Sequence, residues 1–339
     1  MKKIIISIIG ILILTGCSKS INTPYIYKEG YYNIAIPYKA GVSNNYVVNN
    51  MNTYDVDEVE TTLMEISSLY FSKDVSFYQD GQYLSNDFFK EILNKDNLNS
   101  YEKITIDGIT IDPYYVTGIV EQNYLDSSNN LKGISLGIIL NPYLAYQNKY
   151  GITLYKQIEE KELLSIGEEV SKKLLEKVRS IEEISKTKIM IALYFQNNPN
   201  SNTEGSYKKY GITLNTDIEF KDYNEENYYI SSEYVMKNNN DIYSYYSVLE
   251  RNVKEVMPKI YLTGTCEYKN SKLENVIINI SGTYLSKSET LALTQIVSEN
   301  IESVNVNTII YIKESNNIKA ILEKNKTEKL NIHILEGIW

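Results

Sequence analysis

The chain reads Tyr-Val-Thr-Gly-Ile-Val-Glu at residues 115–121 and Tyr-Leu-Thr-Gly-Thr-Cys-Glu at residues 261–267, so one motif occurs twice. Each copy closely follows a proline and leads through a polar turn into a second apolar strand, at 132–140 or at 274–280. An amphipathic helix and a further apolar strand are predicted after each hairpin. The repeated order of strand, strand, helix and strand indicates an internal duplication.

The helix after each hairpin has apolar residues at the three- and four-residue spacing of one helical face. These residues are Leu163, Ile166, Val170, Leu174 and Val178 in the first copy and Leu293, Ile296, Val297 and Ile301 in the second. A hairpin with one such helix makes an antiparallel sheet that is covered on one face. The sequence therefore predicts an α+β protein with two lobes built from a duplicated strand-strand-helix-strand unit, with mostly antiparallel sheets and covering helices.

A polar segment rich in turn-forming residues, 197–209, is the predicted junction between the lobes. The predicted N-terminal lobe spans residues 29–200 and the predicted C-terminal lobe spans residues 201–339. A further amphipathic helix at 241–256 precedes the second copy of the motif, as a helix at 57–71 precedes the first.

The composition excludes several functional classes. The 339 residues include 43 acidic and 34 basic side chains, a net charge of −9, so the body of the protein is not expected to bind nucleic acid. The only histidine is His333 and the only cysteines are Cys17 and Cys266. This count rules out multi-histidine or four-cysteine zinc sites and four-cysteine iron–sulfur clusters.

Sequence motifs for catalysis are almost absent. Residues 133–137 fit the G-x-S-x-G pattern around Ser135, but they lie in an apolar stretch predicted to be a strand and not at a strand-to-helix turn. The chain contains no phosphate-binding loop motif and no dinucleotide-binding fingerprint. We expect no catalytic residue, no metal site and no cofactor.

The N-terminus has the form of a bacterial export signal. Residues 1–3 are positively charged, residues 4–14 are almost wholly apolar, and the small residues Thr15 and Gly16 follow. The apolar run is too short for an ordinary membrane span. Cys17 directly after Leu-Thr-Gly resembles a lipobox cysteine, which implies lipidation by prolipoprotein diacylglyceryl transferase and cleavage before Cys17 by lipoprotein signal peptidase. An ordinary export signal with a chance cysteine is the alternative.

Lipidation would make residues 1–16 a removable signal peptide and residues 17–28 a polar, lipidated tether. Acyl chains that bury many methylene groups anchor a protein stably, so the predicted location is extracellular, on the outer face of the cytoplasmic membrane. Loss of the two signal lysines leaves a net charge of −11, and such a body should stand off from anionic lipid. Cys266 is then the only other thiol, predicted to be a buried small apolar residue without a disulfide.

With this lipobox, several segments resemble the CamS family of sex pheromone precursor lipoproteins of Gram-positive bacteria. They occur in the family's order and cover most of the mature chain, at residues 31–39, 78–84, 121–125, 133–141 and 224–228. The resemblance implies that the cleaved signal peptide yields a short apolar pheromone, here a peptide such as Gly10–Gly16. The family usually has an Arg-Gly pair after the segment that ends here at Lys39, whereas this chain continues with Ala40 and Gly41. An anion site that uses this arginine in relatives is therefore not expected here.

The resemblance leaves the role of the anchored body open. The leading hypothesis is a non-enzymatic module that binds a wall polymer, a peptide or another protein in the groove between the lobes. The alternative is a cell-wall hydrolase that uses two facing carboxylates with raised pKa values in that groove, whereas a tyrosine-lined cleft favours binding. The solute-binding lipoprotein of a transporter is disfavoured, because that architecture needs alternating parallel βαβ units.

Six residues are the predicted binding residues: Tyr32, Lys39, Gln82, Tyr83, Glu121 and Glu267. Glu121 and Glu267 occupy matching positions in the two copies of the motif, so they are the first pair to consider as facing carboxylates. The favoured interpretation is that both are solvent-facing strand residues.

Overall fold

The computed structural model describes residues 31–42, 53–201, 204–301, 304–326 and 329–335, which form two β-sheets with helices packed on them. The first sheet contains β1 (Asn33–Ile34), β2 (Phe77–Asp80), β5 (Val116–Leu125), β6 (Leu131–Leu140), β9 (Lys188–Phe195), β10 (Ser206–Thr213) and β11 (Lys221–Asp222), side by side in this order. The second sheet contains β12 (Glu225–Tyr229), β13 (Tyr261–Lys269), β14 (Lys272–Gly282), β15 (Asn307–Glu314), β16 (Asn317–Lys324) and β17 (Asn331–Ile334), again in this order.

Short hairpins and helices complete the described part of the chain. The hairpins are β3 (Ile104–Ile106) with β4 (Ile109–Ile111), and β7 (Tyr143–Gln147) with β8 (Thr153–Gln157). The α-helices are α1 (Thr53–Ser67), α2 (Asn86–Ile92), α3 (Glu160–Arg179), α4 (Glu233–Asn238), α5 (Asn240–Val256) and α6 (Lys287–Ile301), and a 3-10 turn at Glu182–Ile184 follows α3.

Helices cover the first sheet on both faces. Along β9, Ile189, Ile191 and Leu193 belong to the core beneath α3, while Met190 and Ala192 belong to the core beneath α1 on the opposite face. All ten residues of β5 are buried as a result. The prediction of a sheet covered on one face is therefore wrong for this lobe. β9 and the second half of β6 read as apolar runs, which is the pattern of strands that are buried on both sides.

The second sheet is covered on one face only. Alternate residues of β13 point into a core formed with α4, α5 and α6, and the residues between them are exposed or half-buried. Cys266 lies on the core side, as predicted, and burial raises the pKa of its thiol to about 12. A thiol that stays protonated is a poor nucleophile, so this cysteine has a packing role.

Both copies of the motif have the same strand pairing. β5 runs antiparallel to β6, and β6 runs parallel to β9 after the crossover through α3. In the second lobe, β13 runs antiparallel to β14, and β14 runs parallel to β15 after the crossover through α6. The repeated element order and the α+β class with mostly antiparallel pairing are confirmed, while an origin by gene duplication stays a prediction.

The glycine of the motif is required for space in the second lobe. A Cβ atom on Gly264 would lie 2.4 Å from Cδ1 of Ile230 and 3.2 Å from the ring of Tyr246. The Tyr246 ring lies over this glycine, and its hydroxyl donates to the carbonyl of Leu262 at 3.0 Å. Gly264 therefore lets the aromatic ring of α5 pack directly on the strand.

The first sheet extends beyond residue 200, the predicted end of the N-terminal lobe, because β10 and β11 continue it. The chain passes to the second sheet only after Asp222. The two sheets meet where the Tyr207 N–H donates to Glu225 Oε2 at 3.3 Å and the Asn227 side-chain amide donates to the Gly205 carbonyl at 3.0 Å. These contacts hold β10 of one lobe against β12 of the other.

The structure also places the serine of the G-x-S-x-G pattern. Ser135 is fully buried within β6, and its hydroxyl accepts a hydrogen bond from the Ser67 hydroxyl at 2.7 Å. The interpretation of this segment as a strand is confirmed. His333 lies on β17, the exposed edge strand of the other sheet.

Candidate binding cleft between the lobes

Glu121 lies inside the first lobe and binds the backbone of a loop that is distant in sequence. Its Oε1 accepts from the N–H groups of Gln82 at 3.2 Å and Tyr83 at 3.0 Å, and its Oε2 accepts from the N–H of Leu84 at 2.9 Å. The residue is 1% exposed, and burial raises its pKa although the three N–H groups act in the opposite direction. The interpretation of Glu121 as solvent-facing is wrong, because the loop before α2 covers it.

Three other predicted residues lie beside the same loop. The Gln82 side-chain amide donates to the carbonyls of Ala40 at 3.1 Å and Lys39 at 3.3 Å. Lys39, Gln82 and Tyr83 line a cleft of about 390 Å³ on this lobe. The structure thus brings Lys39, Gln82, Tyr83 and Glu121 together, and their role in ligand binding stays a prediction.

Tyr32 belongs to the hydrophobic core of the first lobe. It is 4% exposed, and its ring centroid lies 5.1 Å from that of Tyr124. Its hydroxyl donates to the carbonyl of Phe71. These contacts use both the ring and the polar end of Tyr32 within the protein, so a ligand could reach it only by opening the core.

Glu267 lies apart from these residues, in a cleft of about 720 Å³ between the lobes. One wall of the cleft is α1, and the other is the half-exposed face of the second sheet. The cleft is lined by Glu58, Thr61, Thr62, Glu65, Glu204, Tyr223, Glu225, Glu267, Tyr268, Lys269, Glu274, Asn275, Ile277 and Tyr311. Glu121 is not part of this cleft, so Glu121 and Glu267 are not the facing pair that the hydrolase hypothesis required.

Three carboxyl groups of the cleft have raised pKa values. Burial raises the pKa of Glu58 to about 8, and the charge of Glu225 adds to the effect. Burial raises the pKa of Glu225 to about 7, with the N–H of Tyr207 opposing and the charge of Glu267 adding. Burial also raises the pKa of Glu267, which accepts a hydrogen bond from the Asn275 amide at 2.8 Å. Carboxyl groups of the cleft, Glu58 above all, therefore stay partly protonated near neutral pH.

An ammonium group of the protein already lies against a tyrosine of this cleft. Nζ of Lys269 is 4.2 Å from the centroid of the Tyr223 ring and donates to the Tyr223 hydroxyl at 2.9 Å. A cation above an aromatic ring is attracted by the negative face of the π system. Tyr311 adds another tyrosine to the lining. Carboxylates next to aromatic rings are the groups that bind protonated amines.

A row of polar side chains crosses the second sheet at the level of Glu267. Glu267 is in register with Asn227 on β12 and with Asn275 on β14, and Asn275 is in register with Asn307 on β15. The Asn307 amide donates to Asn275 Oδ1 at 3.4 Å, which extends the contact between Asn275 and Glu267. The row holds the Glu267 carboxylate in a fixed orientation toward the cleft.

Sequence reasoning did not single out Glu58 or Glu225. On β13, polar residues such as Glu267 alternate with core residues such as Cys266, and this alternation could have marked the open face of the sheet. The neighbouring strand β12 shows no such alternation, since all five of its residues are half-buried, so Glu225 could be placed on this face only through its pairing with β13. No comparable signal exists for Glu58, because the side of α1 that faces the second lobe is set by tertiary packing.

The cleft contains both features that the two hypotheses for the body predicted, carboxyl groups with raised pKa values and tyrosine rings. Burial is the main cause of the raised pKa values, and this cause is common to binding sites and active sites. Within the described ranges, no group of three or more His, Cys, Asp or Glu side chains has the arrangement of a metal site. No helix of the described residues is long and apolar enough to cross a membrane.

Comparison with known proteins identifies the family. The sequence matches the family described as "CamS sex pheromone cAM373 precursor" over residues 38–330. The fold is similar to that of a sex pheromone precursor from Lactobacillus salivarius subsp. salivarius UCC118, with a TM-score of 0.76 and 22% identity over 92% of this chain and 95% of that one. It is also similar to the C-terminal domain of the sex pheromone staph-cAM373 precursor from Staphylococcus aureus, with a TM-score of 0.70 and 22% identity over 84% and 98% of the two chains.

No curated relative matches the sequence. The family match nevertheless covers most of the chain, and both structural relatives are also described as sex pheromone precursors. The resemblance seen in the sequence is therefore confirmed, and the chain belongs to the CamS family of sex pheromone precursors.

Proposed function

We propose that the mature chain is a lipid-anchored surface lipoprotein whose body binds a ligand with protonated amino groups in the cleft between the lobes. The observation that supports the binding role is the cleft of about 720 Å³, in which carboxyl groups of both lobes, such as Glu58 and Glu267, lie beside tyrosine rings. A peptide with free amino groups, or a wall polymer with amino substituents, has the complementary charge.

The raised pKa values predict how such a ligand binds. An ammonium group stabilises the ionised form of a nearby carboxyl group and so competes with the proton for it. Glu58 and Glu225 have pKa values of about 8 and about 7. Binding therefore releases protons and strengthens as the pH rises through this range.

The binding role is tested by immobilising the mature chain without its lipidated cysteine, residues 18–339, and capturing material from wall digests and culture peptides. We expect the captured material to carry amino groups, and we expect acetylation of these groups to abolish capture. The double variant Glu225→Gln, Glu267→Gln should weaken capture at least about tenfold, since a hydrogen bond to a charged group contributes about 1.5–3 kcal/mol. Glu233→Gln changes an exposed carboxylate on α4 and is the matched control.

Two outcomes would contradict this role. One is capture of a ligand that contains no amino group. The other is equal capture by the parent chain and the double variant, with the variant's folded state verified by circular dichroism.

We further propose that Cys17 carries the lipid and that the residues before it are the source of a released peptide. The lipobox sequence and membership of a family described as pheromone precursors support this proposal. Residues 1–30, including Gly16 and Cys17, lie outside the described residues.

Replacement of Cys17 by serine is expected to leave the chain without lipid and without cleavage, because the thiol is the acyl acceptor. Mass spectrometry of the membrane fraction should detect diacylglyceryl-Cys17 in the parent chain only, and the medium should contain the peptide Gly10–Gly16 from the parent only. Synthetic Gly10–Gly16 should induce a plasmid-bearing responder. Cys266→Ser, which removes the other thiol, should change neither lipid nor peptide. An unmodified Cys17 thiol in the parent chain would refute the anchor.

A further inference from the structure

The hairpin formed by β7 and β8 projects from the first lobe and exposes an apolar tip. All residues from 149 to 157 are exposed, and Tyr150 and Ile152 reach 74% and 57% exposure. The hairpin is tied to the lobe at its base, through buried Leu144 and Ile158, and midway along β7, where the Tyr146 hydroxyl donates to the Asp107 carboxylate at 2.7 Å. Two-stranded hairpins without a third strand are marginally stable in water, so an exposed apolar tip on such a hairpin indicates a contact surface.

The hairpin also differs from the rest of the chain in charge. The 18 residues from 141 to 158 contain Lys149 and Lys156 and no acidic residue, in a protein with 43 acidic side chains. Within the described residues, neither lysine takes part in an ion pair, and Nζ of Lys149 lies 5.0 Å from the centroid of the Tyr150 ring. The tip thus combines aromatic and aliphatic side chains with the positive charge of Lys149. Lys156, in register with Leu144 nearer the base, adds a second positive charge to the same hairpin.

We propose that this hairpin docks on an anionic phospholipid surface, with Tyr150, Ile152 and Leu154 in the headgroup region and Lys149 and Lys156 at lipid phosphates. Tyrosine favours the interface between water and lipid because its ring is apolar and its hydroxyl is polar. Basic residues next to an anionic leaflet add favourable electrostatic energy. The acidic body stands off from the same surface, so the contact is confined to this tip.

The proposal rests on the lipid anchor proposed above. The geometry allows the lipid on Cys17 and the hairpin to contact the same membrane. In register, Asn33 on β1 lies level with Leu125 on β5, at one end of the first sheet. The hairpin follows Leu140 at the other end, about 33 Å away along a ten-residue strand. The 13 residues between Cys17 and Tyr31 can span about 45 Å when extended. The anchor and the hairpin can therefore reach one membrane together.

The test uses the mature chain from Ser18, made without the signal and hence without lipid, in flotation with vesicles. We expect binding to phosphatidylcholine vesicles that contain phosphatidylglycerol and little binding to pure phosphatidylcholine.

Lys149→Glu with Lys156→Glu should weaken binding at least about tenfold, since each lysine near such a surface contributes measurably. Ile152→Ser with Leu154→Ser should also weaken binding, and the blue shift of a tryptophan placed by Tyr150→Trp should report insertion. Leu69→Ser, at a leucine outside the hairpin that is as exposed as Ile152, should bind like the parent.

Three outcomes would overturn the proposal. They are equal binding to neutral and anionic vesicles, binding unaffected by the hairpin variants, and binding to a soluble polyglycerol phosphate but not to vesicles. The last outcome would assign the hairpin to a wall polymer. Because the protein in this assay has no lipid, its result is independent of whether Cys17 is modified, and the serine variant of Cys17 tests the anchor separately.

Discussion

Replacing Glu121 by alanine is expected to lower the free energy of unfolding by about 3 kcal/mol or more. The substitution leaves the N–H groups of Gln82, Tyr83 and Leu84 without their acceptor, and each unsatisfied buried donor costs about 1–3 kcal/mol. Relief from burying a carboxyl group offsets part of this loss. Urea denaturation at neutral pH, followed by circular dichroism, measures the change.

The matched control is Glu267→Ala, at the equivalent position of the second copy. Glu267 accepts one side-chain hydrogen bond, from Asn275, and its pKa is raised by burial and by the charge of Glu65. Its loss is expected to change stability by less than about 1 kcal/mol, because repulsion is relieved while one hydrogen bond is lost. Equal losses for the two variants would contradict the different roles that the structure gives them.

These two glutamates show what a sequence motif can and cannot predict. The motif fixes the strand, its register within the hairpin and the side from which the glutamate projects, all of which are local properties. The environment of Glu121 depends on Gln82, Tyr83 and Leu84, which are 37 to 39 residues away in the chain. Among the described residues of the second lobe, no equivalent loop covers Glu267, so the same residue faces an open cleft there.

The repeated fold could be predicted because its signals are local. Helical periodicity and the strand order sufficed to predict a helix and a further strand after each hairpin, but not the parallel pairing of that strand with the hairpin. Coverage of the first sheet on both faces also had a signal, in runs such as Ile138-Ile139-Leu140 that show no polar alternation. The assumption that both copies have the same surroundings obscured this signal.

The candidate site was predictable only in part. Lys39, Gln82 and Tyr83 do lie together, but around the structural carboxylate of Glu121 and not between the lobes. The cleft between the lobes joins Glu58 with Glu225, which are separated by most of the first lobe in sequence. Their proximity follows from how α1, packed on the first sheet, faces the second sheet across the cleft, which no local pattern encodes.

The carboxyl groups of the cleft are expected to make the protein less stable as the pH rises. Glutamate has an ordinary pKa of 4.5, whereas Glu58 and Glu225 titrate at about 8 and about 7 in the folded chain. A group whose folded pKa is raised contributes its stability fully below the ordinary value and loses it as the pH rises through the folded value, because the unfolded chain releases the proton more easily. The free energy of unfolding should therefore decline between pH values of about 4.5 and 8 and level off above.

Glu58→Gln tests this assignment, because glutamine keeps the shape of the side chain and an acceptor for the Thr62 hydroxyl but cannot ionise. We expect the variant to match the parent near pH 5 and to exceed its free energy of unfolding near pH 9 by about 2 kcal/mol. This is less than half of the value that about 1.36 kcal/mol for each pKa unit would give between 4.5 and 8. Urea denaturation at both pH values measures the difference, with Glu91→Gln, an exposed carboxylate on α2, as the control. A gain of the same size at both pH values would attribute the effect to packing, since only ionisation of Glu58 makes the gain depend on pH.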